Sequence, residues 1–208
     1  MKAEQDYIRD IAEMRSIMER SSRFLSLSGL SGVMAGVFAL AGAFVAHTVM
    51  DLPSQLTDAS QMTGTEAFGA MSGIIALGGI VLALTVVTAA LLSRRKAAKT
   101  NEKSWNPATR RLLANLGVPL LAGGLLILML IARGLPEYVL PFSLIFYGLA
   151  LYSAGRFTYE EIRSLGLLET GLGLAAAWLT DHALLCWALG FGVLHILYGL
   201  YMHYRYER

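Results

Sequence analysis

The stretch Ser164–Tyr204, SLGLLETGLGLAAAWLTDHALLCWALGFGVLHILYGLYMHY, consists of two apolar runs joined by the short turn Thr180–His182. The first run has 17 residues between Arg163 and Asp181, close to the minimum for a helix that crosses a hydrocarbon core of ~30 Å. Helices joined by so short a turn are antiparallel neighbours. The stretch therefore predicts a transmembrane hairpin and a membrane fold for the whole chain.

The composition of the chain supports the same class. Hydrophobic residues make up 55% and charged residues 15% of the 208 positions, and the mean hydropathy is +0.54. Soluble domains carry about 25% charged residues, so this is a membrane composition. The single cysteine, Cys186, excludes an internal disulfide and a multi-cysteine metal site. No cofactor is indicated.

Six apolar runs bounded by charged residues predict six membrane-spanning helices, because each run is at or above the minimum crossing length. We expect an all-α integral membrane protein, a bundle of three hairpins. The predicted spans are 24–50, 67–93, 112–132, 138–155, 164–180 and 183–204, within a transmembrane domain that covers 24–204 and precedes a tail of residues 205–208.

The basic residues predict the orientation. Sixteen of the 17 lie on one side of the predicted spans and Arg133 lies on the other. The positive-inside rule therefore places both termini on the cytoplasmic side, and we expect the membrane to be a bacterial inner membrane. The opposite loop, 51–66, contains acids and no base. The sixteen are Lys2, Arg9, Arg15, Arg20, Arg23, Arg94, Arg95, Lys96, Lys99, Lys103, Arg110, Arg111, Arg156, Arg163, Arg205 and Arg208.

Residues 1–23 before the first span predict a cytoplasmic amphipathic helix. Tyr7, Ile11, Met14 and Met18 recur at a spacing of three or four, with charged residues on the remaining face. One interpretation is a helix that lies on the membrane surface. The other is a short coiled-coil contact between protomers of a homo-oligomer, although about two heptads are few for that.

The basic loop 94–111 has seven positive charges and one acid, Glu102. Beside a bilayer, such a loop attracts anionic lipids at ~1 kcal/mol for each Lys or Arg near the surface. Nucleic-acid binding is not expected, because Trp105 is the one aromatic residue available for stacking.

Small residues predict where helices pack. Gly32 and Gly36 form a G-xxx-G step, and Gly69 and Gly73 form another. In lipid, such steps let helix backbones approach closely, so we interpret these glycines as packing positions.

Glu169 is the candidate functional residue. It lies ~9 Å along the fifth span from Arg163, and His195 lies ~15 Å along the sixth span from Arg205. Contact between them is allowed, although their nominal depths differ by ~6 Å. An ionisable residue at membrane depth is by default a functional-site hypothesis, and Tyr198 and Thr170 complete the predicted polar pocket. The competing interpretation is that Glu169 only ties helices together.

On the outer side, His47, Asp51, His182 and Cys186 carry side chains that suit copper or zinc. No HxxxH or CxxC spacing supports a site, and histidines at helix ends are common interfacial residues.

No enzyme signature appears, because the chain has neither a serine nucleophile elbow nor an HExxH motif. The leading hypothesis is an inner-membrane protein whose cytoplasm-side polar pocket around Glu169 moves or senses a small solute, cation or proton. The alternative is a non-transporting scaffold or regulator that acts through the N-terminal helix and the basic loop.

Overall fold

The structure, a computed structural model, describes residues 27–99 and 107–207. Helices account for 91% of the described residues, and no strand occurs among them. The predicted amphipathic helix 1–23 lies outside the described residues, as do residues 100–106 of the basic loop and Arg208 of the tail.

The described chain is a succession of helices joined by short connections. A π-helical segment, Ala188–Leu194, joins the last two helices without a break, and single 3-10 turns lie at Pro136–Tyr138, Gly155–Phe157 and Thr180–His182. In chain order the α-helices are α1 (Gly29–Thr48), α2 (Leu52–Ser60), α3 (Gly64–Lys99), α4 (Pro107–Ala132), α5 (Val139–Ala154), α6 (Glu160–Trp178), α7 (Ala183–Trp187) and α8 (His195–Tyr206).

Five segments of the described chain are long and apolar enough to cross a membrane, which confirms the prediction of an all-α membrane protein. They are Gly29–Thr48, Gly64–Ala98, Pro107–Ala132, Pro136–Phe157 and Thr180–Tyr206. Helix α6 has 19 residues, but its charged residues lower its mean hydropathy. The sixth crossing therefore stays a prediction.

The segment 51–66 differs from the prediction of a loop, because residues Leu52–Ser60 form α2. Asp51 precedes this helix in the left-handed conformation, with φ of 48°, and accepts a hydrogen bond of 2.7 Å from Ser54 Oγ. Ala59 of α2 is buried in a cluster with Met71 of α3 and Ile131 of α4. The prediction of a loop is therefore wrong for Leu52–Ser60, which this apolar contact holds as a helix.

Consecutive long helices run in opposite directions. The beginning of α4 meets the end of α5, where Ala108 and Leu112 form a buried cluster with Ala154. At the other end of the bundle, Ile131 of α4 meets Met71 near the beginning of α3. The ends of the helices therefore form two layers, of which the layer with Lys96 and Glu207 is called the charged end below.

Glycines hold α8 and the π segment before it against α1, and α6 against α5. A Cβ atom on Gly36 would lie 2.5 Å from the Gly192 carbonyl oxygen, and one on Gly32 would lie 3.2 Å from Gly199 Cα. Between α5 and α6, a Cβ atom on Gly166 would lie 2.5 Å from the Gly148 carbonyl oxygen. Contact between α6 and α8 is sparse by comparison, because α6 packs against α5 and α8 packs against α1.

The second predicted glycine step has a smaller part in packing. A Cβ atom on Gly73 would meet Met50 Cε at 2.6 Å, whereas one on Gly69 would meet nothing within 4 Å. Gly69 therefore does not mediate a close helix contact within the described chain.

Candidate functional site

Glu169 of α6 is fully buried, with 0% of its surface exposed. The imidazole of His195, at the beginning of α8, lies beside it, with Nδ1 at 3.2 Å from Glu169 Oε1. His195 is itself buried. The structure therefore places together the two ionisable residues that the sequence put inside the predicted spans.

Tyr147 of α5 completes this group. Its hydroxyl lies 2.9 Å from His195 Nε2, while His195 Nδ1 lies 3.0 Å from the Gly190 carbonyl oxygen. A neutral imidazole satisfies both contacts if Nδ1–H donates to Gly190 and Nε2 accepts from Tyr147. The ring of Phe191 stacks on His195 at a centroid distance of 5.8 Å. The orientation of the imidazole is thus fixed on three sides.

The carboxyl group of Glu169 is less well satisfied. Both of its oxygens are buried and neither has a hydrogen-bond partner among the described residues. The contact of 3.2 Å with His195 Nδ1 is an ion-pair distance, but in the neutral tautomer described above the Nδ1 proton is directed to the Gly190 carbonyl oxygen. A buried polar group without partners costs about 1–3 kcal/mol. Groups of this kind call for a functional explanation.

The π segment shapes the wall that faces the carboxyl group. Within it, Gly190 approaches so closely that a Cβ atom would lie 2.5 Å from Glu169 Oε2 and 2.7 Å from Leu144 Cδ2. Only glycine fits between these groups without displacing one of them. Short π segments interrupt α-helices frequently at functional sites, and here the segment supplies both the gap for Glu169 and the carbonyl group for His195.

Two other residues of the predicted pocket lie elsewhere. The Thr170 hydroxyl donates to the Gly166 carbonyl oxygen of its own helix at 2.8 Å and faces α5. The Tyr198 hydroxyl donates to Ser164 Oγ at 3.3 Å. Tyr198 lies three residues after His195, nearer to the charged end. The structure thus brings Glu169 and His195 together and leaves Thr170 and Tyr198 outside their group.

Tyr147 is not among the site residues that the sequence predicts. A tyrosine hydroxyl in the middle of the apolar run 138–155 is a signal that could have been used, because a buried tyrosine usually finds a hydrogen-bond partner. The sequence does not show which partner.

A groove of about 390 Å³ opens between α6 and α8 at the charged end. It is lined by Glu161 and Ser164 from α6 and by Leu197, Tyr198 and Tyr201 from α8. At its mouth Glu161 Oε1 accepts a hydrogen bond of 2.8 Å from the Tyr206 hydroxyl and pairs with Arg205 at 3.3 Å. Glu169 is not among the lining residues.

A second polar group holds the charged end together. Glu207 accepts hydrogen bonds from Lys96 Nζ at 3.1 Å and from the Gly29 backbone N–H at 2.7 Å, and it pairs with His203 Nδ1 at 2.7 Å. Lys96 also donates to the Leu27 carbonyl oxygen at 2.7 Å. The group ties the beginning of α1 to the ends of α3 and α8. Its negative charge lies at the N-terminus of α1, where the helix dipole favours it.

The surroundings of Glu207 act on its charge in opposite directions. Burial raises the pKa of Glu207, but the hydrogen bonds from His203, Gly29 and Lys96 lower it, and together they hold the pKa below its usual value. The sequence counts Lys96 among the charges of the basic loop 94–111. In the structure it points into the bundle, because its Nζ donates to Glu207 and to the Leu27 carbonyl oxygen.

The four candidate metal ligands on the other side do not form a site. His47, Asp51 and His182 are exposed and Cys186 is half-buried. Within residues 27–99 and 107–207, no three His, Cys, Asp or Glu residues are close enough together to hold a metal ion.

Comparison of the chain with protein-family models, with curated proteins and with solved structures gave no match. The geometry around Glu169 therefore carries the proposal that follows.

Proposed function

We propose that this chain is a membrane protein whose Glu169 takes up and releases a proton within the bilayer, and that this step moves or senses a small solute or cation. The observation that carries the proposal is the fully buried carboxyl group of Glu169 without a hydrogen-bond partner in the described chain. Evolution retains such a group in a membrane chiefly where its proton or charge is used.

The neighbours of Glu169 suit proton exchange. His195 lies at 3.2 Å from Glu169 Oε1, and imidazole is the side chain whose unperturbed pKa lies nearest to neutral pH. Tyr147 and Gly190 hold the ring in place. In the neutral tautomer described above Nδ1 already carries a proton, so His195 gains a second one at Nε2, on the side of Tyr147. The positive charge of the imidazolium would then be stabilised by the Glu169 carboxylate.

The membrane topology belongs to the same proposal. Six crossings with α6 as the fifth, both termini in the cytoplasm and an inner-membrane location follow from the distribution of basic residues. The antiparallel order of the helices supports this arrangement, because the described basic residues at the charged end, such as Arg94 and Arg205, would share the cytoplasmic side. Arg94 and Arg95 would contact anionic lipid there.

Infrared spectroscopy of the purified protein in lipid tests the proposal. We expect a protonated-carboxyl band that appears and disappears as the pH is varied. The band should be absent from Glu169→Gln. The exposed Glu160 supplies a matched control, since Glu160→Gln should keep the band.

Vesicles that contain a pH-sensitive dye provide the functional measurement. A potassium diffusion potential should drive proton uptake through the wild-type protein, or through it in the presence of its solute, and Glu169→Gln should reduce uptake to that of protein-free vesicles. If the wild type and Glu169→Gln show the same pH-dependent carboxyl bands, the proposal is contradicted.

A further inference from the structure

The groove between α6 and α8 ends close to the buried glutamate. Ser164 in its wall lies five residues before Glu169, and Tyr198 lies three residues after His195. At 1.5 Å per residue, the inner end of the groove is about 5–8 Å along the helix axes from the Glu169–His195 pair. The groove therefore reaches most of the way from the charged end to this pair.

The glycine contacts explain why the groove is open. Gly148 and Gly166 hold α6 against α5, and Gly32 and Gly199 hold α8 against α1. Because both helices are fixed to other partners, side chains rather than backbones fill the space between them. The groove is thus a consequence of the way the bundle is packed.

Tyr198 closes the inner end of this groove. Its ring packs against the buried cluster that contains Leu165 and Met202, and its hydroxyl reaches across to Ser164 Oγ at 3.3 Å. Tyr147, which contacts His195, packs against the same cluster. One apolar layer thus separates the groove from the site. The hydrogen bond that closes it is long, and both of its groups have contact with solvent, so it is weak.

We infer that this groove is the route by which a proton from the charged end reaches Glu169, and that Tyr198 is its gate. The inference rests on the proposed function. When the hydrogen bond to Ser164 breaks and the ring turns away from the apolar layer and out of the groove, water enters. A hydronium ion then transfers its proton to a Glu169 carboxylate oxygen, so that one O–H bond breaks, one forms and water is left.

The charged and titratable groups along this route are few. At the mouth, Glu161 is paired with Arg205 and Tyr206. At the inner end, Tyr147 of α5 and His195 of α8 face Glu169. The layer between them is apolar, so the opening of Tyr198 limits the rate.

Time-resolved infrared spectroscopy of the Glu169 carboxyl band after a pH jump, with the protein in lipid nanodiscs, tests the gate. Tyr198→Phe keeps the ring and removes the hydrogen bond. It should accelerate the change in the band about fivefold, the factor that corresponds to a net hydrogen bond of ~1 kcal/mol. Tyr198→Ala removes the ring as well and should accelerate it by more than about tenfold.

Tyr201→Phe is the matched control, because Tyr201 lines the same groove nearer its mouth. Its hydroxyl accepts a hydrogen bond from Arg205 and takes no part in the contact between Tyr198 and Ser164. Its rate should stay within about twofold of the wild-type rate, since the layer at Tyr198 is intact. Equal rates in the wild type and both Tyr198 variants would overturn the gate.

A blocking experiment approaches the same route from the other direction. In a Cys186→Ala background, Ser164→Cys places a thiol in the groove, and a bulky thiol reagent attached there should slow the change in the band at least about tenfold. An unchanged rate after complete labelling would overturn the route. If the gate or the route fails these tests, the Glu169 band is still present in the wild type and absent from Glu169→Gln. If the proposed function fails, no such band changes with pH, so the two kinds of failure are distinguishable.

Discussion

Two pairs of glutamate and histidine meet on α8 and its end, and they are satisfied to very different degrees. Glu207 is bonded by Lys96, by the Gly29 N–H and by His203. Glu169 lies near His195, yet neither of its oxygens has a hydrogen-bond partner among the residues described. The first pair has the bonding expected of a structural group. The second has the bonding expected of a group whose proton or charge is used.

The difference teaches that burial of a carboxyl group says little about its role until its partners are known. A carboxylate that gathers several donors stabilises the fold, whereas one that lacks them lowers stability and needs another reason to be there. Similar substitutions in the Glu207–His203 pair and the Glu169–His195 pair should therefore change the free energy of unfolding with different sign or size.

The largest effect is expected at the charged end. Glu207→Met should lower the free energy of unfolding by about 3 kcal/mol, because it removes the carboxylate that both Lys96 and the Gly29 N–H donate to. The pair is largely buried, since the side chains of Lys96 and Glu207 are 16% and 12% exposed. Unfolding by SDS in mixed micelles measures this change. Glu160→Met, at an exposed position, should change it by less than about 0.5 kcal/mol, and equal effects of the two variants would contradict the structural role of Glu207.

The next effect is expected at the close contact around Glu169. Gly190→Ala should lower the free energy of unfolding by about 2 kcal/mol, because the added Cβ atom would overlap Glu169 Oε2 and Leu144. It should also shift the Glu169 infrared band, since the carboxyl group must move. Gly171→Ala meets nothing within 4 Å and should be neutral or slightly stabilising, so a comparable loss there would show that the effect is not local.

The same substitution at the inner pair should act in the opposite direction. Glu169→Met replaces two unbonded oxygens with an apolar chain of similar volume, so we expect the free energy of unfolding to rise by about 1–2 kcal/mol. His195 keeps its contacts with Gly190 and Tyr147. The SDS transition measures the gain, and a loss as large as that of Glu207→Met would show that the two pairs are alike after all.

The smallest effect concerns pH. Because the pKa of Glu207 is held below its usual value, the unfolded chain binds the proton more readily than the folded chain. Its contribution is therefore complete above the unfolded pKa of ~4.3 and is lost as the pH falls through the folded pKa. The difference in stability between the wild type and Glu207→Met should shrink below about pH 4, as measured by SDS unfolding at several pH values. A difference that stays constant to lower pH would contradict the charged role of Glu207.

The positions of the membrane helices were largely predictable, because hydrophobic length depends on neighbouring residues alone. Depth was predicted less well. The estimate of ~6 Å between Glu169 and His195 took Arg163 and Arg205 as equally deep. In the structure, Glu161 rather than Arg163 meets Arg205, and this shifts the register so that the two residues come within 3.2 Å.

Contacts across the bundle were not predictable in this way. Lys96 was counted with the basic loop, but it bonds Glu207, 111 positions away. Tyr147 contacts His195 where the adjacent Gly148 packs α5 closely against α6. The sequence contains these residues, but not the rotation of each helix about its axis.

The amino-acid sequence by itself determined that this is a helical membrane protein and predicted that Glu169 and His195 lie in apolar stretches of it. Both follow from local hydrophobic length and from the position of charges along the chain. Only the tertiary structure decided that Tyr147 and the π segment surround this pair, and that Lys96 and Glu207 fasten the charged end. Those contacts depend on which helix faces meet, and close glycine packing between distant helices sets those faces.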